Sequence, residues 1–421
     1  MSTPGAIDRV RQGRRLLKAE GPAGVATRVL KRALKRVSPE GQGTLPVRRV
    51  DLVRAGEIAA SGWVLPEPLP VRPGEPLTVA WVCEPGGAGS GGHTTMYRMV
   101  AALEAAGHRC VVYLQDRHGW DIEQHRETIR AWWPWMRAEI RDAADGIADA
   151  HAVFATSWET AYPVLASPAR GRRFYLVQDF EPAFHPAGSA AMLAESTYRF
   201  GFHGVTAGPW LAELLRRDYG MSADHFDFGR DPVYGLDRSP VAAGERTGVC
   251  FYCRPETARR AFEMGVLALD LFAARHPEVE IHLFGRDVKE LPFRATHHGL
   301  LTPEQLNGLY NRCIAGLVLS ATNVSLVPHE MLASGCIPLV NDAEHNRIVL
   351  DNPTVAYAPG TPFELAEALG RLVARGPAER AAAAESAAAS VAGDSWDDAG
   401  ATVERIVRAR VEDGAPALLS S

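Results

Sequence analysis

Short apolar runs recur along most of the chain, and stretches with helical spacing separate them. Each run spans three to six residues, is rich in β-branched and aromatic side chains, and ends at glycine, proline or polar residues, which predicts a buried strand. Because these strands are apolar almost throughout and alternate with helices, they predict parallel sheets that helices cover on both faces. We expect strands over residues 77–82, 109–114, 152–155, 174–177, 204–206, 248–252, 280–284, 316–320 and 337–340.

The alternation stops near residues 235–247 and then begins again, which divides the strands into two series. A chain of 421 residues is also too long for one ordinary hydrophobic core. We therefore expect an α/β protein with two Rossmann-like domains, 76–240 and 241–393, between an N-terminal segment (1–75) and a crossover helix with a tail (394–421). In the second series and the tail we expect helices over 261–276, 303–312, 328–334 and 363–392, and a last helix to about 412.

The first 37 residues are basic and amphipathic. They hold ten Lys and Arg residues against only Asp8 and Glu20, and apolar residues recur among them at loosely helical spacing. Such a segment can lie on an anionic membrane surface, or it can dock on its own domain, and both alternatives remain open. Residues 38–76 are rich in proline and glycine, which predicts a connector with little regular structure.

Composition and charge exclude several classes of protein. The formal net charge of −5 argues against nucleic acid as the main partner. No apolar run approaches the roughly 18 residues of a membrane span, and no apolar stretch typical of a secretory signal follows the first arginines. We therefore expect a cytoplasmic protein, with residues 1–37 as the candidate for contact with the inner face of the cell membrane. The six cysteines are expected to be core thiols, since the C-x-x-C pair Cys250 and Cys253 lacks a second pair for zinc.

A glycine-rich loop, residues 85–94, joins the first predicted strand to the first helix. Glycines allow backbone N–H groups to approach an anion, and the N-terminus of a helix adds partial positive charge. The loop therefore predicts a phosphorylated ligand. The residues that we expect to bind it are Gly89, Gly91, Gly92, His93 and Thr94.

The glycine loop is compatible with other interpretations. It matches G-x-G-x-x-G, and Asp116 ends the second strand where a ribose-binding acid would stand, so an NAD(P)-dependent oxidoreductase is a rival. Cys83-Glu84-Pro85, however, separate the strand from the glycines, whereas a dinucleotide turn follows its strand directly. A nucleoside triphosphatase is disfavoured because His93 occupies the lysine position of a P-loop. A tight turn that binds nothing is the remaining alternative.

Three arginines follow the first strand of the second series. Strand ends in open α/β sheets point at the ligand crevice, so Arg254, with either Arg259 or Arg260, can clamp a diphosphate through forked N–H donors. The alternative is that these arginines cap a surface turn.

A second set of candidates lies between Ser320 and Gly335. Ser325 is a candidate N-cap of the following helix, and Pro328 fits the first turn of that helix. Glu330, early in the helix, is placed to accept hydrogen bonds from ribose hydroxyls. The alternative for Glu330 is a carboxylate that only stabilises the helix dipole.

Residues 316–341 form a longer pattern, in which a strand and loop lead to a helix containing Glu330 and Gly335 and then to a strand with Pro338. The pattern resembles the donor-binding signature of retaining GT-B glycosyltransferases, and the resemblance extends over most of residues 78–410. Further stretches resemble the WsaF-type rhamnosyltransferases, which use dTDP-L-rhamnose. These stretches are Tyr175–Pro182, Tyr198–Phe202, Thr206–Trp210 and Phe251–Pro255.

The resemblance implies a GT-B fold, in which two Rossmann-like domains face each other across a cleft that holds a nucleotide-activated sugar. We expect Arg254, Glu330 and Asp179 to be catalytic. Asp179 and Glu181 are candidates for a base that orients the acceptor, or alternatively for loop caps. The chain departs from the wider signature where Thr322 replaces a glutamate and where Gln178-Asp179 replaces a histidine. The remaining expected substrate-binding residues are Gln178, Glu181, Arg259, Arg260, Gly285, Thr322 and Ser325.

The family's chemistry implies transfer with retention, in which a phosphate oxygen takes the proton of the acceptor hydroxyl. Because the metal-binding D-x-D motif is absent from the sequence, we expect arginines and helix N-termini to stabilise the leaving diphosphate without a metal or other cofactor. The expected donor is a dTDP- or UDP-sugar, with L-rhamnose implied by the resemblance, and the expected acceptor is a glycan or lipid-linked glycan of cell-envelope polysaccharide biosynthesis. A non-catalytic sugar-nucleotide- or glycan-binding protein remains an alternative.

Overall fold

The computed structural model describes residues 47–62, 64–87, 89–116, 121–238 and 246–413. The basic segment 1–37 lies outside this part of the chain, so its predicted membrane contact remains a prediction. Both sheets lie within one compact unit, Arg54–Ser421. None of the helices in the described ranges is both long and apolar enough to cross a bilayer.

The first domain contains a seven-stranded sheet in which every pair of neighbouring strands is parallel. Its strands are β1 (Thr78–Cys83), β2 (Arg109–Leu114), β3 (Glu139–Asp142), β4 (Ala152–Ala155), β5 (Arg172–Val177), β6 (His203–Ala207) and β7 (Ala223–Phe226). The order in the sheet is β3-β2-β1-β4-β5-β6-β7. The chain therefore reverses its direction of travel across the sheet between β1 and β4, the arrangement of a Rossmann fold.

The second domain repeats this order in a six-stranded parallel sheet. Its strands are β8 (Gly248–Cys253), β9 (Ile281–Gly285), β10 (Thr296–His297), β11 (Cys313–Leu317), β12 (Ile337–Asn341) and β13 (Ala356–Ala358). The order is β10-β9-β8-β11-β12-β13, so the reversal lies between β8 and β11. The prediction of an α/β protein with two Rossmann-like sheets is confirmed.

Helices connect the strands and cover the sheets. In chain order they are α1 (Arg49–Ala60), α2 (Gly91–Ala105), α3 (Ile122–Trp132), α4 (Trp158–Ala166), α5 (Ser189–Thr197), α6 (Pro209–Tyr219), α7 (Phe262–Arg275), α8 (Pro303–Arg312), α9 (Val327–Ala333), α10 (Glu344–Leu350), α11 (Pro362–Val373), α12 (Pro377–Ser390) and α13 (Trp396–Glu412). The last helix, α13, returns to the first domain and packs on α2 and β7. A Cβ at Gly400 would lie 2.4 Å from that of Ala102, so the absence of a side chain allows α13 to approach α2 closely.

Buried aromatic side chains join three neighbouring strands of the first sheet. Trp81, Phe154 and Phe174 stand side by side on β1, β4 and β5, with ring centroids 4.1 Å and 4.8 Å apart. All three are fully buried. Stacked rings of this kind add packing free energy beyond the area that they bury, and they fix the strands whose carboxyl ends form the site.

All nine predicted strands exist, and the four strands missing from the prediction are the edges of the two sheets: β3, β7, β10 and β13. Edge strands are short and partly exposed, so they lack the continuous apolar run on which the prediction relied. The segment Glu139–Asp142, for example, has only Ile140 fully buried.

Three further predictions were wrong in detail. The proline- and glycine-rich connector, residues 38–76, contains the regular helix α1. The strand expected at residues 316–320 begins and ends three residues earlier, as β11, because an uninterrupted apolar run does not mark where strand pairing stops. The helical stretch 363–392 is two helices, α11 and α12, which meet at the Gly376-Pro377 turn.

Candidate functional site

The topology locates the candidate site before any side chain is considered. In open parallel sheets, ligands bind beyond the carboxyl ends of the strands at the point where the strand order reverses. In the first sheet this point follows β1, where the glycine loop lies. In the second sheet it follows β8 and β11, where residues 254–260 and 318–326 lie. The predicted glycine-loop residues, the three arginines, Thr322 and Ser325 lie at these places, whereas Gln178, Asp179 and Glu181 follow β5 and Gly285 ends β9.

The glycine loop is held in place by its own polar side chains. Gly89 has φ of +71°, in the left-handed region that glycine tolerates, and α2 begins at Gly91. His93 donates from Nε2 to the carbonyl oxygen of Glu84 (3.0 Å), and its Nδ1 lies 2.8 Å from Ser90 Oγ, which donates to it. Burial lowers the pKa of His93, so the ring is neutral. The Thr94 hydroxyl donates to the carbonyl oxygen of Ser90 (3.0 Å).

Gln178 links the glycine loop to the end of β5. Its Nε2 donates to the carbonyl oxygen of Gly92 at 3.0 Å, and a Cβ at Gly92 would lie 3.8 Å from the Gln178 amide. The carbonyl oxygen of Gln178 in turn accepts from Nδ2 of Asn323 in the second domain, also at 3.0 Å. Hydrogen bonds of Gln178 therefore join the glycine loop to the loop that follows β11.

Asp179 is bound to the second domain through both carboxylate oxygens. Oδ2 accepts from Arg259 Nε at 2.9 Å, and Oδ1 accepts from the backbone N–H of Asn323 at 2.9 Å. Asn323 also donates from Nδ2 to the carbonyl oxygen of Ala207 at 2.8 Å. Asp179 and Asn323 are both buried, so these contacts fix the two domains against each other where the sheets face.

The other two arginines are also held by neighbours. Arg260 Nη1 donates to Ser320 Oγ (2.8 Å) and to the carbonyl oxygen of Asn323 (3.0 Å), which ties the turn after β8 to the loop after β11. Arg254 Nε donates to Tyr252 Oη at 2.7 Å, and Nη1 donates to Glu256 at 3.2 Å. The structure therefore brings Arg254, Arg259 and Arg260 to the strand ends, with several forked donors left to meet an anion.

The loop after β11 and the start of α9 hold a group of buried polar atoms that have no hydrogen-bond partner among the described residues. Buried polar groups are normally paired. In the loop the atoms are Thr322 Oγ1, Asn323 Oδ1 and Ser325 Oγ. On α9 they are both ring nitrogens of His329, of which Nδ1 lies 3.9 Å from Asp394 Oδ2.

The predicted N-cap role of Ser325 was wrong. The N-cap of α9 is Leu326, no side chain caps this helix, and Pro328 lies in its first turn as expected. Leu326 has helical backbone dihedral angles, and the Ser325 hydroxyl accepts no hydrogen bond from the first turn of the helix. The Ser325 hydroxyl is consequently one of the unpaired atoms of this loop.

Glu330 lies half-buried on α9 beside two tyrosines. Tyr310 donates its hydroxyl to Glu330 Oε2 at 3.4 Å. Burial, together with the charge of Asp231, raises the pKa of Glu330 to about 7, while the tyrosine hydroxyls and Arg98 act in the opposite direction. Arg98, on the glycine-loop helix α2, pairs with Asp231 and lies over the Trp396 ring at 4.5 Å. Glu330 is therefore a carboxyl group that titrates near neutral pH.

Two other predicted residues have surroundings that the sequence did not reveal. Glu181 lies inside the first domain, where Oε2 accepts from the N–H of Trp158 (2.6 Å) and Oε1 lies 3.0 Å from the Tyr175 hydroxyl oxygen. This geometry favours a structural role for Glu181 over contact with an acceptor substrate. Gly285 has φ of +105°, and a Cβ there would lie 2.7 Å from the carbonyl oxygen of Cys253, so glycine allows β9 to end close to β8 beside Arg254.

Sequence reasoning missed Asn323, Asp231 and Arg98. Asn323 belongs to the loop that the prediction examined, but nothing in a single sequence indicates that its amide reaches carbonyl groups 145 and 116 residues away. Arg98 lies on α2 seven residues after Gly91, and Asp231 lies in the connection to the second domain. Their pairing across 133 residues depends on the tertiary fold.

No cluster of three or more His, Cys, Asp or Glu side chains able to hold a metal ion occurs in the part of the chain that the structure describes. The six cysteines are buried free thiols, as expected.

Comparison with known proteins gives matches to both sequence and fold. Residues 247–370 match the family described as WsaF, C-terminal domain. The O-antigen biosynthesis protein RfbC of Myxococcus xanthus is 36% identical over 268 residues, which cover 62% of this chain and 21% of RfbC. The chain thus spans about a fifth of the length of that curated relative.

The fold is similar to those of several solved structures. Sucrose-phosphate synthase from Thermosynechococcus elongatus superposes with a TM-score of 0.59 at 14% identity, covering 79% of this chain and 98% of that one. S. aureus TarM, in complex with fondaparinux, α-GlcNAc-glycerol and UDP, gives a TM-score of 0.64 at 6% identity, covering 79% of this chain and 99% of that one. These likenesses confirm the predicted GT-B fold.

Proposed function

We propose that this chain is a glycosyltransferase that moves a sugar from a nucleoside diphosphate to a growing glycan. The GT-B fold and the match of residues 247–370 to the WsaF C-terminal domain family support the proposal. The name of the curated relative RfbC, an O-antigen biosynthesis protein, supports a polysaccharide as the product. The donor that we propose is dTDP-L-rhamnose. Its support is the resemblance of Tyr175–Pro182 and Phe251–Pro255 to WsaF-type enzymes, together with the match of the second domain.

One observation carries this proposal. Arg254, Arg259 and Arg260 lie beyond the carboxyl end of β8, and Arg260 binds Ser320 and Asn323 in the loop that follows β11. A sugar nucleotide suits this region, because its phosphates accept hydrogen bonds from the N–H groups of arginines.

The geometry supports the following proposed roles. Arg254 and Arg259 or Arg260 would bind the diphosphate and stabilise the charge that develops on it as the sugar leaves. Glu330, as a carboxylate, would accept hydrogen bonds from the ribose. We propose a retaining and metal-independent reaction, in which a phosphate oxygen takes the proton of the acceptor hydroxyl. The domain contacts around Asp179 would then exclude water from the donor.

A donor panel tests the proposal. The purified chain would be incubated with dTDP-L-rhamnose, UDP-glucose or UDP-N-acetylglucosamine, with and without polysaccharide acceptor, and released nucleoside diphosphate would be measured. We expect acceptor-dependent release of dTDP. Arg254→Ala and Glu330→Ala should each lower it by roughly 10²-fold or more. Arg238→Ala, which removes an exposed arginine paired with Glu385, is the matched control and should leave turnover unchanged.

The same experiment separates the rival functions. Binding of NAD(H) in preference to dTDP and UDP would favour an oxidoreductase and contradict the proposal. Tight binding of a nucleoside diphosphate without turnover on any acceptor would favour a non-catalytic binding protein. Release from UDP-sugars alone would leave a glycosyltransferase but overturn the rhamnose assignment.

We also propose that residues 1–37 contact anionic lipid. Cosedimentation of the full chain with vesicles of phosphatidylglycerol, but not of phosphatidylcholine, is the expected result. Replacement of Arg14, Arg15, Arg32 and Arg36 by alanine should abolish it, and equal sedimentation of the variant would contradict the proposal.

A further inference from the structure

Asp179 is the acidic partner of the arginines that follow β8. Its Oδ2 lies 2.9 Å from Arg259 Nε and 3.9 Å from Arg260 Nη2. Within the described ranges, no other acidic side chain lies within 4.0 Å of either guanidinium group. The side chains of all three residues are largely buried, with exposed fractions of 11% for Asp179, 29% for Arg259 and 13% for Arg260.

This pairing has a clear electrostatic reason in the protein without donor. Arg259 and Arg260 are adjacent and each is positively charged, so their mutual repulsion in a half-buried site is unfavourable. The Asp179 carboxylate, which comes from the opposite domain, compensates part of that charge. The Phe184 ring, 4.1 Å from the Arg259 guanidinium, supports the same orientation of the side chain.

A diphosphate would compete with Asp179 for the same cation. It carries more negative charge than one carboxylate and offers more acceptor oxygens to the forked donors of an arginine. The carboxylate and the diphosphate cannot both accept the hydrogen bond from Arg259 Nε, and two anions held close together in a buried site repel each other. Resting on the proposed function, we infer that the Asp179 carboxylate binds Arg259 in the donor-free protein and that the donor diphosphate displaces it. This competition sets the affinity for the donor.

The exchange also couples donor binding to the contact between domains. When Arg259 turns to the diphosphate, one of the hydrogen bonds across the domains is lost, whereas those of Asn323 to Asp179, Gln178 and Ala207 remain. Donor binding to Arg259 therefore requires that the Arg259–Asp179 contact between the domains break, and this lowers the apparent affinity for the donor.

The inference predicts that removing a carboxylate from the site tightens binding. Asp179→Asn keeps an oxygen that can accept from the N–H of Asn323 but removes the charge that holds Arg259. Isothermal titration with UDP and with dTDP should give a dissociation constant about tenfold lower than that of the wild type, the order expected when one charge-assisted hydrogen bond no longer has to be broken. Arg259→Ala should weaken binding by at least the same factor.

A double variant distinguishes local competition from general repulsion. If Asp179 acts through Arg259, Asp179→Asn should have no effect in the Arg259→Ala background. Asp218→Asn, which removes an exposed carboxylate paired with Arg217, is the matched control and should bind as the wild type does. Thermal melting would check that each variant is folded, and Asp179→Ser, which also removes the charge, replaces the Asn variant if that protein does not fold.

The outcomes separate this inference from the proposed function. Unchanged or weaker binding by folded Asp179 variants, while the wild type binds diphosphate, would overturn the inference and leave the glycosyltransferase proposal intact. An equal increase in affinity from Asp179→Asn in the Arg259→Ala background would also overturn the inference, because general charge repulsion would then explain the effect. Failure of the wild type to bind either diphosphate would refute the proposed donor site itself.

Discussion

Replacing Glu181 by glutamine should make the stability of this protein much less dependent on pH. The Glu181 carboxyl group is buried against Trp158 and Tyr175. Burial raises its pKa from the ordinary value of 4.5 to about 8. In the unfolded chain the group loses its proton near pH 4.5, whereas in the folded protein it keeps the proton up to about pH 8. Because the unfolded state binds fewer protons in that window, stability falls as the pH rises through it.

The magnitude follows from the two pKa values. Multiplying the interval between 4.5 and about 8 by 1.36 kcal/mol per pKa unit gives about 5 kcal/mol between acid and alkaline conditions. That is a large part of the total stability of an ordinary domain. Glutamine keeps an oxygen that accepts from the N–H of Trp158 and adds an amide that faces the Tyr175 hydroxyl, and it does not titrate. The variant should therefore lack this loss of stability.

Urea unfolding followed by circular dichroism at pH 5 to 9 measures the effect. The free energy of unfolding of the wild type should fall steadily up to about pH 8. That of Glu181→Gln should fall by several kcal/mol less over the same range. Glu385→Gln, which changes an exposed carboxylate paired with Arg238, should follow the wild type. Parallel curves for wild type and Glu181→Gln would refute the reasoning. They would mean that Glu181 is ionised in the folded protein.

Three more predictions concern the site. Because the pKa of Glu330 is raised to about 7, the fraction of its carboxylate form increases between pH 6 and 8. Titration calorimetry should therefore show that the affinity for a nucleoside diphosphate sugar rises with pH more steeply in the wild type than in Glu330→Gln. Superimposable pH profiles of the two proteins would contradict a ribose contact. Asn323→Ala leaves the carbonyl groups of Gln178 and Ala207 without the N–H donor of the Asn323 side chain. The free energy of unfolding, measured by urea titration, should fall by about 2 kcal/mol. An unchanged value would contradict the domain contact. Turnover should persist in EDTA without added divalent cation, and its loss on chelation would refute the metal-independent mechanism.

The candidate site was predictable to the extent that it depends on strand ends. Arg254, Arg259, Arg260 and Glu330 each follow a strand or begin a helix, and parallel topology brings such positions to one edge. Their partners were not predictable. Asp179 meets Arg259 across 80 residues of sequence, and this pairing depends on how the two domains face each other, which a single sequence does not encode in any local pattern.

The surroundings of charged groups were a second limit. The sequence presented Asp179 and Glu181 as equivalent acidic residues in one loop. In the structure Asp179 bridges two domains, whereas Glu181 points into its own domain and is buried with an elevated pKa. Burial decides between these roles, and burial depends on side chains from other elements.

The sequence by itself determined the inner strands, the alternation with helices and the division into two sheets. A strand covered on both faces must be apolar throughout, and that requirement is written locally in the chain. Only the tertiary structure decided the edge strands β3, β7, β10 and β13, the domain contact at Asp179 and Asn323, and the protonation of Glu330 and Glu181. Each of these depends on contacts between residues distant in sequence, whose free energies no local pattern of hydrophobic and polar positions records.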